Sequence, residues 1–343
     1  MFYLKTNWRA MEILSVVALL LLLCETTACR RKSAEQESTT ITVYGFSVVK
    51  DPLLTTIFPA FVDEWRDKTS QQITFESSFA GSEIVTNQII NGVDADVAIL
   101  AIERNAERLL RPDVTRSDWR KLPYRGIVNQ TPMVIVTRAG NPKRIRDFND
   151  LGKAGVGVIL CDPTSSGAGN WALAALYGSE LLKAEERTGK RDPQTARQLL
   201  MQIAKNIRAT PESARAARAL FEHGEGDALI TYELEALQMK DKGQPIEIVM
   251  PQATVMCEHP VVIIDHLMSP SRYALVELFV RSLWERPAQQ AWTQARFRSV
   301  IEELNGGFQK IEKPFKVGDL GGWNKVTDEV INGAWKQATQ GSR

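Results

Sequence analysis

Residues 156–183 read VGVILCDPTSSGAGNWALAALYGSELLK. Val156–Leu160 is a short apolar run rich in β-branched residues, and it predicts a strand. The next residues, Cys161 to Gly167, are dense in turn formers. A helix is then expected from about Asn170 to Lys183, apolar enough to be buried on more than one face. Strand, polar loop and helix in that order form the unit of a layered α/β fold.

The same alternation extends both ways along the chain. Strands are expected at Thr40–Tyr44, Gln72–Phe75, Ala95–Ala101, Met133–Thr137, Asp227–Thr231, Ile246–Met250 and Val261–Ile264. Helices are expected at Pro52–Lys68, Ser82–Asn91, Thr195–Ile207, Ser213–Gly224 and Glu233–Lys240, and they dominate from Ser271 onward. Pro59 should kink the first of these or restart it. The pattern predicts α/β layers with mainly parallel sheets flanked by helices. Pro and Gly beside extended segments place domain joints at Thr137–Pro142 and Pro251–Pro260. Residues 40–137 then open a first lobe, 138–255 form a second, and 256–343 return to the first and end in helices. The cleft between two such lobes is a common ligand site.

The first 28 residues read as a leader. Lys5 and Arg9 precede an apolar run, Ile13–Leu23, too short to span a bilayer core of about 30 Å. Thr26-Thr27-Ala28-Cys29 resembles a bacterial lipoprotein cleavage site, with Thr26 where leucine is usual. It predicts a lipid-anchored Cys29. Ordinary secretion and a retained anchor are the alternatives. Residues 29–39 are then a polar tether. Cleavage removes Lys5 and Arg9 with Glu12 and Glu25, so the formal net charge of +1 is unchanged. That balance gives no basic excess for a nucleic-acid surface. The chain has 3 histidines, and Cys257-Glu258-His259 reads as incidental, so no metal or other cofactor is expected. Cys161 and Cys257 are left as two buried thiols or a bridge.

Three serines stand at predicted helix starts: Ser82 after Phe79-Ala80-Gly81, Ser166 within Pro163-Thr164-Ser165-Ser166-Gly167, and Ser213 after Thr210-Pro211-Glu212. Each can cap its helix. The same positions present unpaired N–H groups and the positive end of a helix dipole to an anion. Three of them in one cleft would hold a dianion without Lys or Arg. Glu83 and Glu212, beside two of these serines, are expected to point to solvent from the first turn.

Several segments together resemble the periplasmic sulfate- and thiosulfate-binding proteins of ABC importers. They are Phe79–Ser82, Ile90–Val97, Arg138–Lys143, Cys161–Trp171, Gly224–Glu233 and Gly321-Gly322-Trp323. The resemblance spans roughly residues 40–335 and implies the type II two-lobed fold, with the anion held by backbone N–H groups and neutral side chains. By position these are Val48, Ser82, Ser165, Ser166, Gly167, Ala168, Ser213 and Tyr232. The family usually has tryptophan where Tyr232 stands. A phenol O–H donates but also accepts, unlike an indole N–H. The resemblance further implies delivery to ABC importer permease subunits, an extracytoplasmic location and a monomer.

Other readings are weaker. Gly167-Ala168-Gly169-Asn170-Trp171-Ala172 is a G-x-G-x-x-A string between a strand and a helix, but Glu185 lies in a charged helical stretch where the fingerprint needs a strand end. Ser165-Ser166-Gly167 is not G-x-S-x-G, and the histidines follow no triad pattern, so an exported enzyme is not favoured and no catalytic residue is assigned. Molybdate, phosphate and phosphonate are the alternative anions.

Overall fold

The computed structural model describes residues 39–340. The predicted leader, Cys29 and nearly all of the predicted tether lie outside the described residues.

Strand β1 (Thr39–Phe46) runs parallel to β2 (Ile73–Ala80) along its whole length. Its other edge is parallel to β3 (Val97–Ile99). Helices α1 (Phe58–Thr69), α2 (Ser82–Ile90) and α3 (Glu103–Leu109) alternate with these strands. Pro59 is the second residue of α1, but helical turns precede it, since Lys50–Pro52 is α-helical and Ile57 keeps helical φ/ψ. The preceding Leu53–Ile57 wind as a π-helix. The helix therefore runs on through Pro59 with a π-bulge ahead of it, and it neither breaks nor restarts there.

Beyond the long β4 (Ile127–Arg138) lies a second parallel set. There β5 (Val158–Ile159) pairs with β6 (Ile207–Ala209) and β7 (Ala228–Tyr232). Helix α4 (Gly167–Thr188) follows β5, α5 (Pro193–Asn206) leads into β6, and α6 (Ala214–Glu222) leads into β7. Helix α7 (Glu233–Asp241) and β8 (Ile246–Val249) come next.

The two sets are joined through β4 and β9 (Ala253–Ile263). The end of β9, Val261–Ile263, pairs with β3. Its middle, Met256–Pro260, pairs with the first half of β4. The second half of β4, Met133–Arg138, pairs with β7 and β8. One sheet of ten strands results, ordered β2-β1-β3-β9-β4-β7-β5-β6, with β8 on β4 and β10 (Lys313–Phe315) on β9. Every antiparallel pair involves β4 or β9; the other pairs are parallel.

Both expected joints touch these strands. The stretch Pro251–Pro260, read as a connection, is strand from Ala253 onward, and Thr137 and Arg138 end β4. Strand β9 is covered on both faces, so it lacks the apolar–polar alternation of a half-exposed strand. The C-terminal residues also differ from expectation. Helices α8 (Pro270–Ser282) and α9 (Arg286–Gln294) pack with the first set, Phe279 lying 4.8 Å from the Phe75 ring. Residues Val326–Trp335, a further π-helix, pack on α4 and α5, and Trp323 meets Trp171 edge-on at 4.6 Å.

Candidate functional site

The residues just before α2, α4 and α6 meet at one point. A Cβ on Gly81 would lie 2.3 Å from the Ser165 carbonyl oxygen and 2.6 Å from that of Glu212. A Cβ on Gly167 would lie 2.5 Å from the Ala101 Cβ and 3.4 Å from the Ser82 Cβ. Real side chains do not tolerate such separations, so glycine is required wherever these segments touch in this arrangement. The turn Ser47–Val49, holding the buried Val48, packs on α6. Tyr232 ends β7, and its ring lies 6.4 Å from Phe46, the last residue of β1. The eight predicted positions thus belong to segments brought together from both strand sets.

The serines divide by what their hydroxyls do. Ser166 and Ser213 cap α4 and α6, each accepting from a first-turn N–H at 3.2 Å, Ala168 for one and Ala216 for the other. Accepting leaves the hydroxyl proton available for donation. Ser82 is engaged inward: it accepts from the Ala101 N–H at 3.0 Å and donates to Asn105 Oδ1 at 3.3 Å. Ser165 donates to the Glu212 carbonyl at 3.2 Å, tying the two loops together. Backbone donors remain at the helix starts, since first-turn N–H groups have no intrahelical acceptor.

Tyr232 is fully buried, and its hydroxyl has no hydrogen-bond partner among the described residues. Burial above all, with Cys257 and Cys161 nearby, pushes its ionisation well above the usual phenol value, so it stays protonated. Cys161 and Cys257 are free and buried. Burial raises the Cys161 thiol to about 12 and Cys257 well above its ordinary value, which leaves both thiols unreactive at neutral pH.

The charges nearby are matched. Glu83 departs from the sequence expectation: it is buried, held by Arg104 and by Arg108 at 2.7 Å. A carboxylate drawn out of water needs such partners. Its cations come from α3, 21 and 25 residues further along the chain, beyond the reach of a local reading. Glu212 is exposed, as expected. Arg215, in the first turn of α6, is shared between Asp51 at 2.8 Å and the buried Glu235 at 2.9 Å. Among the described residues no cluster of side chains fits a metal ion.

Other motif residues prove to hold the loops in place. Asn170 donates to the Pro163 and Ser166 carbonyls at 2.9 and 3.0 Å, clamping the loop ahead of α4. The Trp171 indole donates to the Ala101 carbonyl at 2.6 Å. Asn141 brackets Ile145, accepting from its N–H at 2.9 Å and donating to its carbonyl at 2.7 Å. Arg138 donates to the carbonyls of Phe221 and Gly226 at 2.8 Å and stacks on the Phe221 ring, fixing the turn after α6. Sequence reasoning had these residues in motifs but had no signal for their partners. Arg104 and Asn105 carried no signal at all.

Residues 47–298 match the family described as bacterial extracellular solute-binding protein. The chain is 32% identical to the sulfate-binding protein of Synechococcus elongatus over 292 residues, 83% of this chain and 82% of that one. It is 27% identical to the thiosulfate-binding protein of Escherichia coli, covering 81% of this chain and 84% of that one. Its structure is similar to that of the sulfate-binding protein SubI from Mycobacterium tuberculosis, with a TM-score of 0.76 and 28% identity, across 85% of this chain and 99% of that one.

Proposed function

Because the chain belongs to the bacterial extracellular solute-binding protein family and has its two-part α/β fold, we propose that it captures sulfate or thiosulfate for an ABC importer. The observation that carries this reading is the meeting of three helix starts around Gly81. Helix N-termini supply donors only, and a neutral hydroxyl can turn its proton to an anion, so the set suits an anion that is fully ionised at neutral pH. A monohydrogen phosphate would also need an acceptor. In this proposal Val48, Gly167 and Ala168 give backbone N–H groups, and Ser82, Ser165, Ser166, Ser213 and Tyr232 give hydroxyls. Ser82 would turn its proton from Asn105 to the ligand, Ser165 its proton from the Glu212 carbonyl, and the Ala168 N–H would be shared between Ser166 and the ligand.

The two lobes of the proposal are residues 40–137 with the return from 256, and residues 138–255, except that the C-terminal Val326–Trp335 belongs with the second lobe, on whose helices it packs. Capture closes them around β4 and β9, and permease subunits receive the anion. The protein works outside the cytoplasm, in keeping with its family. The lipid anchor at Cys29 belongs to the same proposal, and fatty-acid labelling that survives in Cys29→Ala would remove it.

Calorimetric titration with sulfate, thiosulfate, molybdate, phosphate and phosphonate tests the ligand. Sulfate or thiosulfate should bind and should raise the melting temperature by mass action. Binding of molybdate or phosphate with neither sulfur anion would replace this assignment by the alternative.

A further inference from the structure

Arg104 joins three parts of the chain at the closed cleft. It lies in the first turn of α3, on the side of the first strand set. One guanidinium nitrogen bonds Glu83, the residue after Ser82, and also reaches Asn170 Oδ1 at 3.4 Å. The other donates to Thr327 Oγ1 at 2.9 Å. Asn170 is the residue that clamps the loop of Ser165, Ser166 and Gly167. Thr327 belongs to the C-terminal π-helix that packs on α4 and α5. The side chain of Arg104 is 19% exposed, and that of Glu83 7%.

These contacts separate by side. The bond to Glu83 is made within the first set and would persist if the halves moved apart. The bonds to Asn170 and Thr327 cross between the sets and would break. We propose that Arg104 is a positioning residue that latches the closed, anion-holding form, acting on the rate of release and not on the anion itself. This rests on the closure reading above. Arg104 does not supply charge to the ligand, since Glu83 neutralises it. Arg298 pairs with Glu233 beside β4, to whose Gln130 it is bonded through the backbone, and so stays with the strands that join the sets. A further cation that bridges the sets, Arg215, bonds an Asp51 whose side chain is 57% exposed, where solvent screens the pair and weakens it. Arg104 is the better enclosed of the two, and hydrogen bonds from a charged donor are stronger there.

Stopped-flow binding and release of sulfate, on the full chain, tests the latch. Arg104→Gln should speed release roughly 10- to 100-fold and leave the association rate within about twofold, because most affinity changes of this kind appear in release. Folding should survive, since Glu83 keeps Arg108. Thr327→Val removes one crossing bond with little change of shape and should speed release several-fold. It also serves if Arg104→Gln does not fold. Asp51→Asn is the control and should change release by less than about threefold. A folded Arg104→Gln or Thr327→Val chain that binds sulfate with unchanged release would overturn the latch. A loss confined to association would overturn it equally. A wild-type chain that binds no sulfate fails the ligand assignment instead; the same variants are then read with whichever oxyanion the titration identifies.

Discussion

The hydroxyl of Tyr232 is fully buried and unpartnered among the described residues, at the end of β7, a strand that packs against α4 and α6. A buried hydroxyl left without a partner destabilises a fold by ~1–3 kcal/mol. A cost of that kind persists where the group has a use. Two opposite effects then follow for Tyr232→Phe. Without ligand, the variant should be as stable as wild type or melt a few degrees higher. With sulfate, it should lose one bond to a charged partner, ~1.5–3 kcal/mol, or about 10- to 150-fold in affinity. Paired melting and calorimetric measurements check both signs. A lower melting temperature together with unchanged affinity would make Tyr232 a packing residue of the cleft wall.

At the scale of elements, the strands and helices that were legible are those with a local signal. Ala214–Glu222 is bounded by its Ser213 cap nearly where the sequence puts it, and Ser82–Ile90 and Glu233–Asp241 lie close to their expected positions without a side-chain cap. Strand β9 was not legible in its first half. Thr254, Cys257 and His259 are all buried in it, and a strand covered on both faces with polar residues inside has no period to read. Two of the site's helix starts, Ser166 and Ser213, were legible as caps, whereas Ser82 does not cap: it is the first residue of α2, after Gly81, and its hydroxyl bonds Ala101 and Asn105. That the three starts touch was not legible, because contact between Gly81, Ser165 and Glu212 is a property of tertiary structure. Gly81 itself has an ordinary extended conformation, φ −62° and ψ 142°, that alanine adopts without strain. Gly81→Ala should therefore fold, yet its methyl would collide with two carbonyls when α2, α4 and α6 meet. The expected result is a loss of more than about 100-fold in sulfate affinity at unchanged ligand-free stability, since moving several segments apart forfeits more than one charged hydrogen bond. Small-angle scattering with saturating sulfate should show a smaller contraction than in wild type. Wild-type affinity in Gly81→Ala would mean that the anion is held with these helix starts apart.

At the scale of the whole molecule, the two strand sets depend on the pairing of β4 with β9, and a histidine is sealed inside that pairing. His259 on β9 stands opposite Asn129 on β4, with Nδ1 2.6 Å from the Asn129 amide oxygen. An amide oxygen only accepts, so Nδ1 carries the proton, and Nε2, buried with no acceptor among the described residues, is left unprotonated, which makes the ring neutral. Phe46, Tyr232 and Phe297 surround it, at ring separations of 4.6, 5.6 and 5.9 Å. Burial lowers its pKa to about 3, against an ordinary value of 6.5. The sign of the consequence is fixed by linkage. Between those two values the unfolded chain binds a proton that the folded chain refuses, so stability rises with pH across the window and is fully regained above 6.5. Each pH unit within it contributes at most about 1.4 kcal/mol. Glu235 works in the opposite sense: burial raises its pKa above 4.5, so the folded chain holds its proton more tightly there and gains as pH falls. The net curve mixes the two, and comparison with His259→Gln isolates the histidine. Denaturant unfolding at pH 7.5, 6.5, 5.5 and 5.0 should show wild type losing stability below 6.5 more steeply than His259→Gln. Parallel pH curves for the two proteins would mean that His259 is protonated in the folded state, and that the β4–β9 pairing contains a charged ring in place of a neutral one.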